Sequence, residues 1–92
     1  MEEERIEDRI KRVIVRTLSL EIEPEEIGDE DQLFEGALGL DSEATIEIIV
    51  GLEGEFGVEF EDEDLRPELF DSVRAMAEYV RLALLKKALN RI

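Results

Sequence analysis

Few side chains in this chain can do chemistry. There are 26 Asp and Glu, 11 Lys and Arg, and neither His nor Cys. Disulfides, thiolate catalysis, the usual zinc and transition-metal sites and the commonest general base are therefore excluded. Carboxylates, hydroxyls, Lys and Arg remain. Among the hydroxyls, Ser42 stands out by its position. It follows Gly39-Leu40-Asp41 and opens a helical pattern that runs to Phe56. The start of a helix offers unpaired backbone N–H groups and the positive end of the helix dipole, and a phosphate is favoured there. A phosphodiester on the Ser42 oxygen would sit in a suitable field. The plainer reading is that Asp41 or Ser42 is only an N-cap. Asp-Ser alone does not separate the two. With no His in the chain, Ser42 has no partner of that type to activate it as a nucleophile.

The carboxylates yield no comparable site. An EF-hand loop counted from Asp29 finds Asp31 in place. Leu33 and Phe34 then stand where an acid or Asn and a Gly are needed. A hydrolase built on paired carboxylates is disfavoured because no pair is singled out and 92 residues leave little room for a deep cleft.

These residues must be positioned by helices. Ile6, Ile10, Val13, Ile14 and Leu18 recur at helical spacing and predict an amphipathic helix over about 3–20. A long loop follows over 21–40, with Pro24, Gly28, Gly36 and Gly39 as breakers. Ile22, Ile27, Leu33, Phe34 and Leu38 are too many apolar residues for a free linker, so the loop is expected to pack on the core. The second helix spans 42–56, and Gly57 is its expected C-cap. A short helical turn near Asp62–Leu65, limited by Pro67, precedes a last helix capped by Asp71 or Ser72. Val73, Met76, Ala77, Val80, Leu84 and Leu85 are its expected inner face. Val58-Glu59-Phe60 is too short to count as a strand. The prediction is one all-α domain over 1–92: a four-helix bundle with three long helices, one short one, and a long loop between the first two.

On the second helix, Thr45, Ile48, Ile49, Leu52 and Phe56 form the expected core stripe. Glu43, Glu47 and Gly54 lie on the other side, with Ile46 and Val50 among them. Two readings of those aliphatics are open: ordinary surface apolars, or a docking face with an acidic surround fitted to basic partners. Charge is unevenly spread. Of a formal −15, the stretch between Leu20 and Ser72 holds 20 acids against one base, Arg66. Such a chain is repelled by nucleic acid and anionic membranes and steered to basic protein surfaces. No run is long enough to span a bilayer, and a cytoplasmic monomer is expected.

The stretch from Gly39 to Phe60 resembles the phosphopantetheine attachment region of acyl carrier proteins. The family shows Gly-x-Asp-Ser-Leu followed by a helix ending Leu-Glu-x-Glu-Phe, and this chain has Gly39-Leu-Asp-Ser42 and Leu52-Glu-Gly-Glu-Phe56. The match extends through Glu61-Asp-Glu-Asp64 to Phe70-Asp-Ser-Val73, about residues 5–85 in all. The resemblance implies a non-enzymatic carrier of acyl thioesters in fatty-acid or related lipid or secondary-metabolite biosynthesis. Ser42 is then the attachment point of a covalent 4'-phosphopantetheine arm taken from coenzyme A, and Asp41 its flanking acid. Holo-acyl-carrier-protein synthase and acyl-transferring and condensing enzymes with basic docking surfaces are the implied partners. They would meet Glu43, Ile46, Glu47, Val50 and Glu53. A peptidyl or polyketide-type carrier, or an unmodified acidic helical adaptor, stands as the alternative. One departure is notable: the family usually has Leu or Met after the serine, and this chain has Glu43. Gly51 and Gly54 either allow close helix approach or shape an acyl cavity, or are tolerated surface positions, the last fitting Gly54 better.

Overall fold

Three apolar stripes meet in one core. The computed structural model describes residues 4–33, 42–61, 63 and 67–90, the side chains of Ser42 and Pro67 excepted. Helix α1 (Ile6–Leu18) opens with Glu7 and Asp8 in its first turn, which suits the dipole. It ends on Ser19, in the left-handed region at φ 53°. There the Leu20 N–H donates to the Val15 carbonyl at 3.0 Å and the Ser19 N–H to that of Arg16 at 3.4 Å, a Schellman-type stop. Helix α2 (Ser42–Phe56) ends at Gly57, whose φ of 65° favours glycine. Helix α3 (Val73–Leu89) starts at Ser72, whose Oγ accepts the Ala75 N–H at 3.2 Å.

Ile10, Val13 and Ile14 of α1, Ile48, Leu52 and Phe56 of α2, and Val73, Met76, Ala77 and Val80 of α3 are all buried. Helix α1 packs on both other helices. The long loop joins this core, as the sequence predicts: Ile27 and Leu33 are buried in it and Ile22 packs against it, and Val58, Phe60 and Phe70 from the later connection are buried there too. Phe34 and Leu38 lie outside the described residues.

Two details differ from the sequence reading. Pro67 begins a 3-10 turn (Pro67–Phe70) that the sequence reading did not include. Its fixed φ and missing N–H suit a first helical position. Asp62 and residues 64–66, where the short turn was expected, lie outside the described residues. Leu85 is exposed rather than inward. It stands about 100° round the helix from Leu84, off the seam formed by Val73, Met76, Val80 and Leu84. All described regular elements are helical, and none is long and apolar enough to cross a membrane.

The segment after α1 is clamped from both sides. A 3-10 turn (Pro24–Glu26) leads into it. The Asp29 carboxylate takes Lys11 Nζ at 2.6 Å and Arg5 at 2.9 Å, both from the α1 end. The Asp29 carbonyl accepts the Arg74 N–H at 2.8 Å, and the Leu33 N–H donates to the Asp71 carbonyl at 3.0 Å. The loop is thus tied to α1 by side chains and to the start of α3 by backbone.

The two mid-helix glycines separate cleanly. A Cβ on Gly51 would lie 2.8 Å from both Val13 Cγ1 and Thr17 Oγ1, so Gly51 sets the close approach of α1 and α2. A Cβ on Gly54 would meet nothing within 4 Å. Gly51→Ala is expected to cost about 1–3 kcal/mol by overpacking against a fully buried valine. Gly54→Ala should add stability of up to about 1 kcal/mol through helix propensity. Urea melts of the two variants check both signs, and equal shifts for the two would contradict the close approach.

Candidate functional site

Helix α2 carries the candidate site along its length. It begins at Ser42 and runs 15 residues, roughly 21 Å from its positive to its negative end. A phosphodiester fits this setting because the helix start places positive dipole and N–H donors at residue 42. Asp41 lies outside the described residues. Beyond Ser42 the helix divides lengthwise. Ala44, Ile48, Leu52 and Phe56 turn inward, with Thr45 and Ile49 half-buried beside them. Ala44 was not among the residues expected in the core.

The outward side is acidic and apolar together. Ile46 is 64% exposed and Val50 63%, and Glu43 and Glu47 are exposed around them. Neither carboxylate has an ion-pair partner among the described residues. This is a hydrophobic contact of two aliphatic side chains framed by free negative charge. Such a surface suits transient docking to a basic face, because the charge steers encounter and the apolar area is small enough to release.

The acids at the other end of α2 are differently employed. Glu53 is half-buried and its Oε2 accepts the Phe60 N–H at 2.9 Å, which fixes the chain as it leaves the helix. Glu55 pairs with Arg9 at 3.0 Å and lies 3.8 Å from Arg16. The same Arg9 donates to the Glu55 carbonyl at 3.2 Å and stacks its guanidinium 4.4 Å from the Phe56 ring centre. Lys87 Nζ donates to the Gly57 carbonyl at 2.7 Å. Two cations from other helices thus satisfy the negative end of α2. Spacing alone did not reveal these roles; the signal for Lys87 was a base in the last turn of α3, and its target is the end of another helix. Along α2, the acids without an ion-pair partner among the described residues therefore lie near Ser42, and those toward its far end hold the fold.

Residues 8–80 match the family model described as "Phosphopantetheine attachment site". Acyl carrier proteins of Buchnera aphidicola subsp. Acyrthosiphon pisum, strains Tuc7 and APS, are each 38% identical over 82 residues, covering 89% of this chain and 96% of theirs. The solution structure of holo acyl carrier protein NE2163 from Nitrosomonas europaea superposes with a TM-score of 0.79 over 89% of this chain and 99% of that one, at 20% identity, a likeness of fold. A chain in the crystal structure of engineered Bradyrhizobium japonicum glycine:[carrier protein] ligase, complexed with carrier protein from Agrobacterium tumefaciens and ATP, is 28% identical. Its TM-score is 0.73, over 84% of this chain and 97% of that one. The chain thus belongs to the acyl carrier protein family, carriers of acyl thioesters on covalent 4'-phosphopantetheine rather than enzymes.

Proposed function

We propose that Ser42 is the attachment point of the arm, with Asp41 as its flanking acid, and that Glu43, Ile46, Glu47 and Val50 form the docking face. Glu53 belongs at the margin of that face, with one carboxylate oxygen held by Phe60. The observation that carries this reading is the coincidence on one helix of Ser42 at its start and a free acidic-apolar surface directly after it. Holo-acyl-carrier-protein synthase is the partner proposed to transfer phosphopantetheine from coenzyme A to the Ser42 oxygen: the serine hydroxyl gives up its proton, a new P–O bond forms, the pyrophosphate bond of coenzyme A breaks, and adenosine 3',5'-bisphosphate leaves. Acyl-transferring and condensing enzymes with basic docking surfaces are proposed to follow, in fatty-acid or related biosynthesis in the cytoplasm. The arm supplies a thiol, which the chain itself lacks. The proposed architecture is one carrier domain over 1–92, its short fourth helix in the connection between α2 and α3, where the Pro67–Phe70 turn supports it.

The missing cysteine makes the test clean. The chain titrates no thiol before treatment with coenzyme A and a broad-specificity holo-synthase. Afterwards it should titrate one per chain and gain the mass of a single phosphopantetheine moiety. No gain with any synthase would overturn the proposal.

The similarity to a chain of the ligase–carrier complex favours a second reading, in which the cargo is an aminoacyl group. Glu43 bears on it, because a carboxylate directly after the serine replaces an apolar anchor with charge. Glu43→Leu is expected to change loading by partner enzymes by about 10-fold, roughly 1.4 kcal/mol. It should weaken native partners and improve loading by enzymes of carriers that have Leu there. The comparison of kcat/KM across acyl- and aminoacyl-loading enzymes checks this. Unchanged values for every partner would remove Glu43 from the docking face.

A further inference from the structure

Gly54 has no role within the chain. A Cβ there would meet nothing within 4 Å, and among the described glycines only Gly57 has a positive φ. Neither packing nor backbone conformation therefore calls for glycine at this position, and glycine inside a helix is destabilising relative to alanine. Its place on α2 is particular. Glu43, Glu47, Val50 and Gly54 follow one another at steps of four, three and four, and all four are exposed. They lie within about 60° of arc on the helix. Steps of three and four are the spacing at which one helix packs against another.

The row tapers in height and in charge. It begins with two long carboxylates next to Ser42, passes to Val50 and ends on bare backbone at Gly54. Helix α2 contains no Lys or Arg, and Glu43 and Glu47 have no ion-pair partner among the described residues. Around the far end the charges are of both signs. Glu53 holds the Phe60 N–H, Glu55 lies against Arg9 and Arg16, and Lys87 sits on the Gly57 carbonyl. The end near Ser42 is thus tall and negative, and the row closes on a low, uncharged notch.

We infer that Gly54 sets how closely partner enzymes approach: a helix of the partner crosses α2 over Val50 and Gly54, seats an apolar side chain in the notch that Gly54 leaves, and turns its cations toward Glu43 and Glu47. The inference rests on α2 being the docking face and adds the depth and tilt of the contact. A residue without Cβ lets another backbone come close. Contact is therefore nearest at the far end of the row and widens toward Ser42, roughly 18 Å away. That widening leaves room above Ser42 for the arm to enter the partner's cleft. A second copy of the chain fits poorly, because it would set Glu43 and Glu47 against like charge.

Steady-state kinetics of the full chain with coenzyme A and a broad-specificity holo-synthase test this. Gly54→Ala is expected to raise KM for the carrier by about 3-fold and Gly54→Leu by about 10-fold or more, as added bulk in a close contact does. The value of kcat should not move, because the lost contact is remote from the Ser42 oxygen and serves binding alone. Both variants should melt no lower than wild type, so loss of the fold cannot produce the change. Glu78→Leu places a leucine on the exposed side of α3 and should leave KM unchanged. Ile46→Ser/Val50→Ser examines the face itself and should raise KM. If that pair raises KM and Gly54→Leu does not, the docking face stands and the role of Gly54 falls. If neither raises it, both fall. An equal rise for Glu78→Leu would also overturn the inference, since bulk anywhere on the surface would then act alike.

Discussion

Ser42→Ala is expected to abolish loading of the phosphopantetheine arm, and Ser72→Ala to leave loading intact while lowering stability. The chain contains Asp-Ser twice, at 41–42 and at 71–72, and both serines stand at helix starts. The second is fully employed in structure: its Oγ accepts the Ala75 N–H at 3.2 Å and so satisfies one of the unpaired donors of α3. Removing it should cost about 0.5–2 kcal/mol. Ser42 is instead the first residue within α2, where Ala is at least as good a helix former as Ser. Intact mass after treatment with coenzyme A and a holo-synthase reads the first effect, and thermal melts of the unmodified proteins read the second. Wild type and Ser72→Ala should both gain one phosphopantetheine moiety, and Ser42→Ala none. If Ser42→Ala still gains that mass, the attachment point is elsewhere. Ser19 is the remaining serine, and it closes α1 in the left-handed conformation, with no helix start to favour a phosphate.

The sequence speaks most clearly where a period is imposed by burial. Ile10, Val13 and Ile14, then Ile48 and Leu52, then Val73, Met76 and Val80, each repeat at helical spacing because each faces one core. The outward pair Ile46 and Val50 was legible for the same reason, as aliphatics off the stripe. What the pattern could not give is the use of individual charges. Glu43, Glu47, Glu53 and Glu55 look alike in sequence. Two have no ion-pair partner among the described residues, one accepts the Phe60 N–H, and one binds Arg9 across 46 residues of chain. Those differences arise from which helix end lies beside which residue, a tertiary fact. Gly51 and Gly54 make the same point. Both break propensity equally, and only the position of Val13 and Thr17 on α1 tells a contact glycine from a tolerated one.

Asp29→Ala should be among the most damaging single changes outside the hydrophobic core, at about 2–3 kcal/mol. For a domain of this size that is a fall in Tm of roughly 10 °C or more. Lys11 is only 8% exposed, and without Asp29 its described carboxylate partner would be Asp8, at 3.8 Å. A nearly buried ammonium would then lack a close counter-charge. The Lys11 hydrogen bond, with Arg5 adding to it, holds the Asp29 carboxyl below its ordinary value near 3.8, against the opposing effect of burial. Burial likewise opposes ionisation of Glu7, and its own backbone N–H together with Arg81 outweighs this, so its carboxyl also lies below its ordinary value. The sign follows from proton binding. Between the lowered folded values and the ordinary unfolded ones, the unfolded chain holds more protons, so acid favours unfolding there. The stabilisation from Asp29 is complete above about pH 4 and is lost as pH falls through the folded value. Melts of wild type and Asp29→Asn should therefore differ by a constant amount from pH 7 down to about pH 4 and converge below it. Because Asp29 ties the long loop to α1, amide exchange over 27–33 should quicken in the variant before the three helices are affected. Indistinguishable melts at pH 7 would show that the backbone bonds to Arg74 and Asp71 alone suffice to hold the loop.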